Sequence, residues 1–458
     1  MDVILAIVIV AGGAALVGLG IIGYINNVLS FADNVNRALG RAPKLATREQ
    51  FEEVKSILEE VRERLAPSPR GAAEFDTDEL AKAAGPDTEA RLREALELQA
   101  QNKEREAIDA LYEAFRRDLE PHAKAQLHLL LGNGFLRLSE PGEAEGHYRQ
   151  TLNASRTAKL RQGEAAALGG LGIVFRQRGD LKRAEEHHQK ALAIDREIGK
   201  REGEARDLGN LGIVYAQRGE LDQAEEHLQK ALAIQQDISD RLGEANQLGN
   251  LGNVYLDRGD LERAEDHQKQ ALAIDREIGD RLGEAQDLGN LGNIYYQRGD
   301  LDRAEEHYQQ AVTIDREIGN RLGEAADLGN LGLIYVRQDD LDRAEEHYQR
   351  ALAIHREIGN RLGEAATLGN LGIVYRHLGD LARAEEHYQQ ALVIQREIGN
   401  RIDQANALGN LGLLAAERDQ QEDACRLLKE AAAIYEEIGA GGQGPDLVRA
   451  KLQELGCE

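Results

Sequence analysis

Cysteine is nearly absent from this 458-residue chain. Its only two, Cys425 and Cys457, are widely separated, so neither a disulfide framework nor a CxxC metal site is expected. A reducing compartment is compatible with that usage. Tryptophan is missing and methionine occurs once. Positive charge is also in deficit: 56 Lys and Arg stand against 81 Asp and Glu, a formal net charge of −25. Such a balance argues against nucleic acid as a partner. It accommodates a basic or neutral protein segment, although most of the charge reads as an acidic, solvated outer face. The sequence contains no GxxxxGK[ST], HExxH or GxSxG, no GxGxxG opening a helix after a strand, and no stretch that reads as a strand. The chain therefore reads as non-enzymatic, with no catalytic residue, cofactor or metal.

What is present is repetition. From Leu168 to Gly412 the text LGNLG-x-x-Y…RGDL-x-RAEEHY-x-x-AL-x-I-x-REIGNRLGEA returns every forty residues, as at Leu208, Leu248, Leu288, Leu328, Leu368 and Leu408. The unit from Leu208 to Gln247 holds two helical periods. Ala205, Leu208, Leu211, Gly212 and Tyr215 form one apolar face, and Leu221, Ala224, Leu228, Ala231 and Ile238 form the second. Gly219 stops the first helix and Glu220, usually Asp in the other copies, is expected to cap the next. A glycine at Gly199, Gly279, Gly319, Gly359 and Gly399 ends the second helix; Ser239 takes that place once. One helix pair cannot bury its apolar face alone, whereas stacked pairs share a continuous core.

The spacing Leu208-x-x-Leu211-Gly212-x-x-Tyr215, then Ala224-x-x-x-Leu228 and Ala231, resembles the tetratricopeptide repeat. It departs from the usual 34-residue unit by lacking a proline after the second helix and adding residues of the EIGNRLGEA type. The long-repeat forms it is similar to are Pins-type G-protein-signalling modulators, kinesin light chains and prokaryotic sensor arrays. No sequence after Gly439 looks like a G-protein-binding motif. The resemblance implies an all-α, right-handed superhelical solenoid with first helices lining the concave side. Weaker copies around Ala95–Ala114 and Leu131–Leu152, and a degraded one at Cys425–Ala431, extend it to about nine units over 88–440, followed by a capping helix over 441–458.

The N-terminus differs in kind. Val3 to Ile25 carries no charge, and at ~1.5 Å per residue it would span a hydrocarbon core of ~30 Å. Residues 1–29 are therefore expected to be a transmembrane anchor. Arg37, Arg41, Lys44 and Arg48 follow it, which would place the array in the cytoplasm by the positive-inside rule. Residues 30–66 read as juxtamembrane amphipathic helices, the second opened by a capping box at Thr47 and Gln50, and 67–87 as a flexible linker.

Near-identical copies are most informative where they differ. The slot of Ile213 reads Asn253, Asn293, Leu333 and Ile373; that of Ala216 reads Leu256, Tyr296, Val336 and Arg376; that of Gln217 reads Asp257, Gln297, Arg337 and His377. With Arg206 these slots form one stripe opposite the core. Within it stands a constant row, Asn210, Asn250, Asn290, Asn330, Asn370 and Asn410, whose amides can donate and accept to the backbone of an extended peptide. The preceding Gly209, Gly249, Gly289, Gly329 and Gly369 deepen the groove, and Gly212 and its copies allow close helix packing. The row is expected to contact peptide, with Asn253, Asn293, Tyr296, Arg337, Arg376 and His377 tuning specificity. A histidine ladder, His147, His187, His227, His267, His307, His347 and His387, reads as packing, since neighbouring rungs are too far apart to share a metal ion.

These readings describe a membrane-anchored adaptor that captures a peptide segment of a protein partner and has scope to form homo-oligomers. Two alternatives are a ligand-sensing subunit that clusters a membrane-inserted N-terminal helix and a self-assembling lattice protein.

Overall fold

The computed structural model describes residues 91, 94–99, 103–115, 119, 121–138 and 140–457; the expected anchor, amphipathic helices and linker lie outside these. The chain divides into two compact units, Met1–Phe115 and Arg116–Glu458. In the first, residues 94–99 are helical and α1 spans Glu104–Glu113. The second unit stacks eight helix pairs: α2 (Pro121–Arg137) with α3 (Pro141–Ala158), α4 (Arg161–Gln177) with α5 (Leu181–Ile198), α6 (Arg201–Gln217) with α7 (Leu221–Asp237), and α8 (Arg241–Arg258) with α9 (Leu261–Ile278). Then come α10 (Arg281–Arg298) with α11 (Leu301–Ile318), α12 (Arg321–Arg337) with α13 (Leu341–Glu357), α14 (Arg361–His377) with α15 (Leu381–Ile398), and α16 (Arg401–Glu417) with α17 (Gln421–Glu437). The cap is α18 (Gln443–Glu454). No strand occurs among the described residues.

Local chemistry sets each boundary. Asp180, Asp260, Asp300, Asp340 and Asp380 each accept a hydrogen bond from the backbone N–H three residues on, satisfying a donor that the helix start leaves open. Glu220, one methylene longer, makes no such bond, so the expected cap is absent there. The left-handed turn after the second helix falls on glycine in most units. Lys159 and Ser239 adopt it too, at φ 58° and 59°, where glycine is replaced.

Packing then joins the pairs. A Cβ at Gly212 would lie 2.6 Å from Leu228 Cγ, and one at Gly292 would lie 2.6 Å from Tyr308 Cε1, so the two helices of a unit approach to a distance only glycine permits. A large apolar cluster runs from Leu192 to Val448, with smaller ones around Leu168 and Leu248. Polar staples tie each unit to the next. Tyr215, Tyr255, Tyr295, Tyr335 and Tyr375 donate their hydroxyls, at 2.6–2.8 Å, to Glu185, Glu225, Glu265, Glu305 and Glu345 of the preceding unit. Successive first helices touch each other, whereas successive second helices stand apart. The stack therefore turns its first helices inward.

Two expectations require correction. The single-pass membrane location, with the array facing the cytoplasm, rested on residues 1–29. Among the described residues no helix is long and apolar enough to cross a membrane. The second helices instead pair an apolar face with a charged one, as α11 does with Asp302, Arg303, Glu305, Glu306, Arg316 and Glu317. The membrane location is withdrawn. The second correction concerns the cysteines. Cys425 on α17 and Cys457 just after α18 are joined in a disulfide with Cα atoms 5.5 Å apart. Sequence distance concealed the contact, because α18 folds back against α17.

Candidate functional site: the inner face of the first helices

The constant asparagines occupy the inward stripe. Asn210, Asn250, Asn290, Asn330, Asn370 and Asn410 are all half-buried. Among the described residues, the side-chain amides of Asn210, Asn250, Asn290, Asn370 and Asn410 enter no hydrogen bond within the chain, while Asn330 bonds to Asp327. Half-burial removes part of the water from these amides without supplying protein partners. That state favours an incoming donor and acceptor.

The variable positions have unequal environments. Asn253 accepts from Gln268 Nε2 at 3.1 Å, and the same nitrogen donates to the Gly249 carbonyl at 2.9 Å. Asn293 accepts from the Tyr308 hydroxyl at 2.7 Å. Both asparagines are thus held by the second helix of their own unit. Arg337 lies over the Tyr296 ring, 4.8 Å from its centroid, and donates to the Tyr296 carbonyl at 3.2 Å. Arg376 lies 3.4 Å from Glu417. His377 is exposed.

Beneath the asparagines runs a polar layer that sequence reasoning missed. It joins the end of one second helix to the middle of the next first helix, and the matched positions are Asp195 and Asp207, Gln235 and Gln247, Asp275 and Asp287, Asp315 and Asp327, His355 and Thr367, then Gln395 and Ala407. All of these side chains are buried. Burial, and then the nearby Asp207, push the Asp195 carboxyl up to about 6. Burial, with Asp315 adding to it, pushes Asp327 up to about 8. Asp315 is also raised by burial, although Asn320 donates to it at 2.8 Å. His188 places Nδ1 3.3 Å from Asp207. Two carboxyls in one dry site cannot both ionise cheaply. The available signal was the matched pair twelve residues apart, Asp with Asp or Gln with Gln.

This layer also decides how deep the groove is. A Cβ at Gly209 would meet Gln247 at 2.7 Å, one at Gly249 would meet Asp287 at 3.4 Å, and one at Gly289 would meet Asp327 at 3.1 Å. In these units the space beside the glycine is already filled. At Gly329 and Gly369 a Cβ would meet no atom within 4 Å, because the opposing residues are Thr367 and Ala407. The Thr367 hydroxyl turns back to the Gly363 carbonyl at 2.8 Å. A cavity of about 350 Å³ opens at Gly369, walled by α14, α15, α16, Tyr435 of α17 and the capping helix α18.

The histidine ladder packs. From His187 to His387 each imidazole lies 4.9 Å from the aromatic ring of its own unit's first helix, and its Nδ1 sits 2.7–2.9 Å from the carbonyl four residues back. Among the described residues no group of three or more His, Cys, Asp or Glu side chains could hold a metal ion.

The family model for the tetratricopeptide repeat matches residues 163–237, 243–317, 288–357, 323–397 and 363–437, together more than half of the chain. The chain belongs to the tetratricopeptide-repeat family. No curated protein matches it. Among solved structures it is similar to the apo form of the quorum sensor NprR from B. thuringiensis, at 16% identity and TM-score 0.54 over 76% of this chain and 98% of that one. It is also similar to a Rap protein complexed with competence and sporulation factor, at 17% identity and TM-score 0.52 over 79% and 99%. A signal transduction ATPase with a tetratricopeptide-repeat sensor from Pyrococcus horikoshii aligns at 15% identity and TM-score 0.53 over 90% and 66%. At these identities the likeness establishes a shared fold.

Proposed function

We propose that the array is a protein-interaction module that captures an extended peptide segment of a partner along the inner face of its first helices. The observation that carries this reading is the row of half-buried asparagine amides without intrachain hydrogen bonds. An extended backbone offers a donor and an acceptor at every residue, and a repeated amide can meet both whatever the side chains are. The fold is ordinarily a non-catalytic scaffold, and the Rap protein that shares it is complexed with competence and sporulation factor. The specificity positions with exposed or solvent-facing groups are Tyr296, Arg337, Arg376 and His377. Asn253 and Asn293 act instead through the rigidity of the helix pair that holds them.

The test uses the full chain as bait in native lysate beside a variant with Asn250, Asn290 and Asn370 replaced by Ala. Bound proteins should be lost with the variant while its helical circular dichroism is unchanged; equal capture by both overturns the reading. A peptide sensor is the second reading, favoured by the sensor folds that this array matches. It requires the captured peptide to change the dimensions of the array, which small-angle scattering with and without the peptide would register.

A further inference from the structure

The last two units depart from the repeat at several slots that converge on one cavity. Ala407 stands where Asp207, Gln247, Asp287 and Asp327 stand in four earlier units, and Asp403 where Gly203, Gly243, Gly283, Gly323 and Gly363 stand. Tyr435 replaces the Asp, Gln or His of its slot and donates to Asn406 at 2.6 Å. Gln395 is 2% exposed and lines the cavity, and its Oε1 has no hydrogen-bond partner. The first helices also touch least between α14 and α16. Terminal units diverge in any solenoid, but that requirement calls for a polar outer face and not for an emptied inner layer.

The walls define what fits. Ile373, Ala391, Ala407, Leu413 and Val448 supply an apolar lining, while Asn370 and Asn410 line the same cavity from adjacent units. About 350 Å³ lies at the small end of the range for ligand pockets, ~300–1,000 Å³. The charged group in the lining is Asp403, and no Lys or Arg joins it. A carboxylate would therefore be repelled and left without a cation.

We infer that this cavity is a socket for one apolar side chain of the captured segment, whose backbone is held on either side by the Asn370 and Asn410 amides and whose neighbouring residues carry no negative charge. The inference rests on the peptide-capture reading and adds to it a position, an anchor and a charge rule. The units of Gly209, Gly249 and Gly289 clasp the backbone over a filled layer. The socket reads a side chain and so fixes the register of the segment.

A randomised nonapeptide display library, selected against the full chain and against Ala407→Gln, tests this. The substitution restores the residue type that Gln247 provides over Gly209, so the variant has a precedent for folding within its own sequence. Peptides enriched by the unmodified chain should share one apolar residue at a fixed position with acids excluded beside it. Ala407→Gln should still enrich peptides but lose that preference, and should bind the selected peptide about ten-fold or more weaker. Enrichment without a fixed apolar position, or the same consensus from both chains, overturns the socket and leaves peptide capture standing. No enrichment by either chain overturns both.

Discussion

Five neighbouring units of the array are nearly the same sequence with two kinds of interior. Beside Gly209, Gly249 and Gly289 a Gln or Asp from the next unit stands 2.7–3.4 Å from where a Cβ would be; around Gly329 and Gly369 the same backbone borders open space. The difference lies in Thr367 and Ala407. A residue on the first helix of the next unit thus decides whether a repeated glycine borders a filled layer or a vacancy. Copies that look alike in their own text can differ in function through their neighbour's.

That contrast can be tested through pH first. A carboxyl whose pKa is raised on folding stabilises the folded state below its unfolded value of about 4 and loses that contribution as pH rises through the folded value. Asp327, at about 8, and Asp195, at about 6, should make the middle of the array more stable at pH 5 than at pH 9. Asp327→Asn should leave stability near pH 3 little changed and should gain on the order of a few kcal/mol over the unmodified chain at pH 9. Equal urea midpoints for the two proteins at pH 9 would contradict the buried-acid account.

Glycine substitutions sharpen the comparison further. Gly292→Ala drives a methyl into the Tyr308 ring and should cost about 1–3 kcal/mol by denaturant titration. Gly369→Ala, on the same kind of helix, should instead stabilise the protein by roughly 0.5–1 kcal/mol, because alanine is the better helix former and open space receives its methyl. Opposite signs at two glycines of the same motif are the outcome expected. If Gly369→Ala destabilises, the vacancy is not there.

Much of the architecture was legible because a forty-residue period repeats helix faces, caps and stops together, so each copy confirms the others. Leu208, Gly212 and Ala224 declare their faces through spacing within one helix or one pair. The missed features require knowledge of which helices meet. Asn253 looked like a groove residue because its slot varies, yet its partner Gln268 is fifteen residues on and on another helix. Asp315 and Asp327 belong to different units, and their contact exists only after stacking. Glycine in the Leu-Gly-Asn motif was read as depth everywhere, although depth depends on the opposing residue. The cysteines carried no periodic signal at all.

The disulfide between Cys425 and Cys457 acquires meaning from the one-dimensional character of the stack. A linear array loses order from its ends inward, since a terminal unit has one neighbour and interior units have two. The bridge closes a 32-residue span across the final pair and the cap, and so removes the loosest step of that unravelling. The wall of the cavity formed by α18 is thereby fastened by a covalent bond that responds to thiols. Reducing conditions would release that end of the array first, making the oxidation state of its surroundings a determinant of how long the last rungs stay assembled.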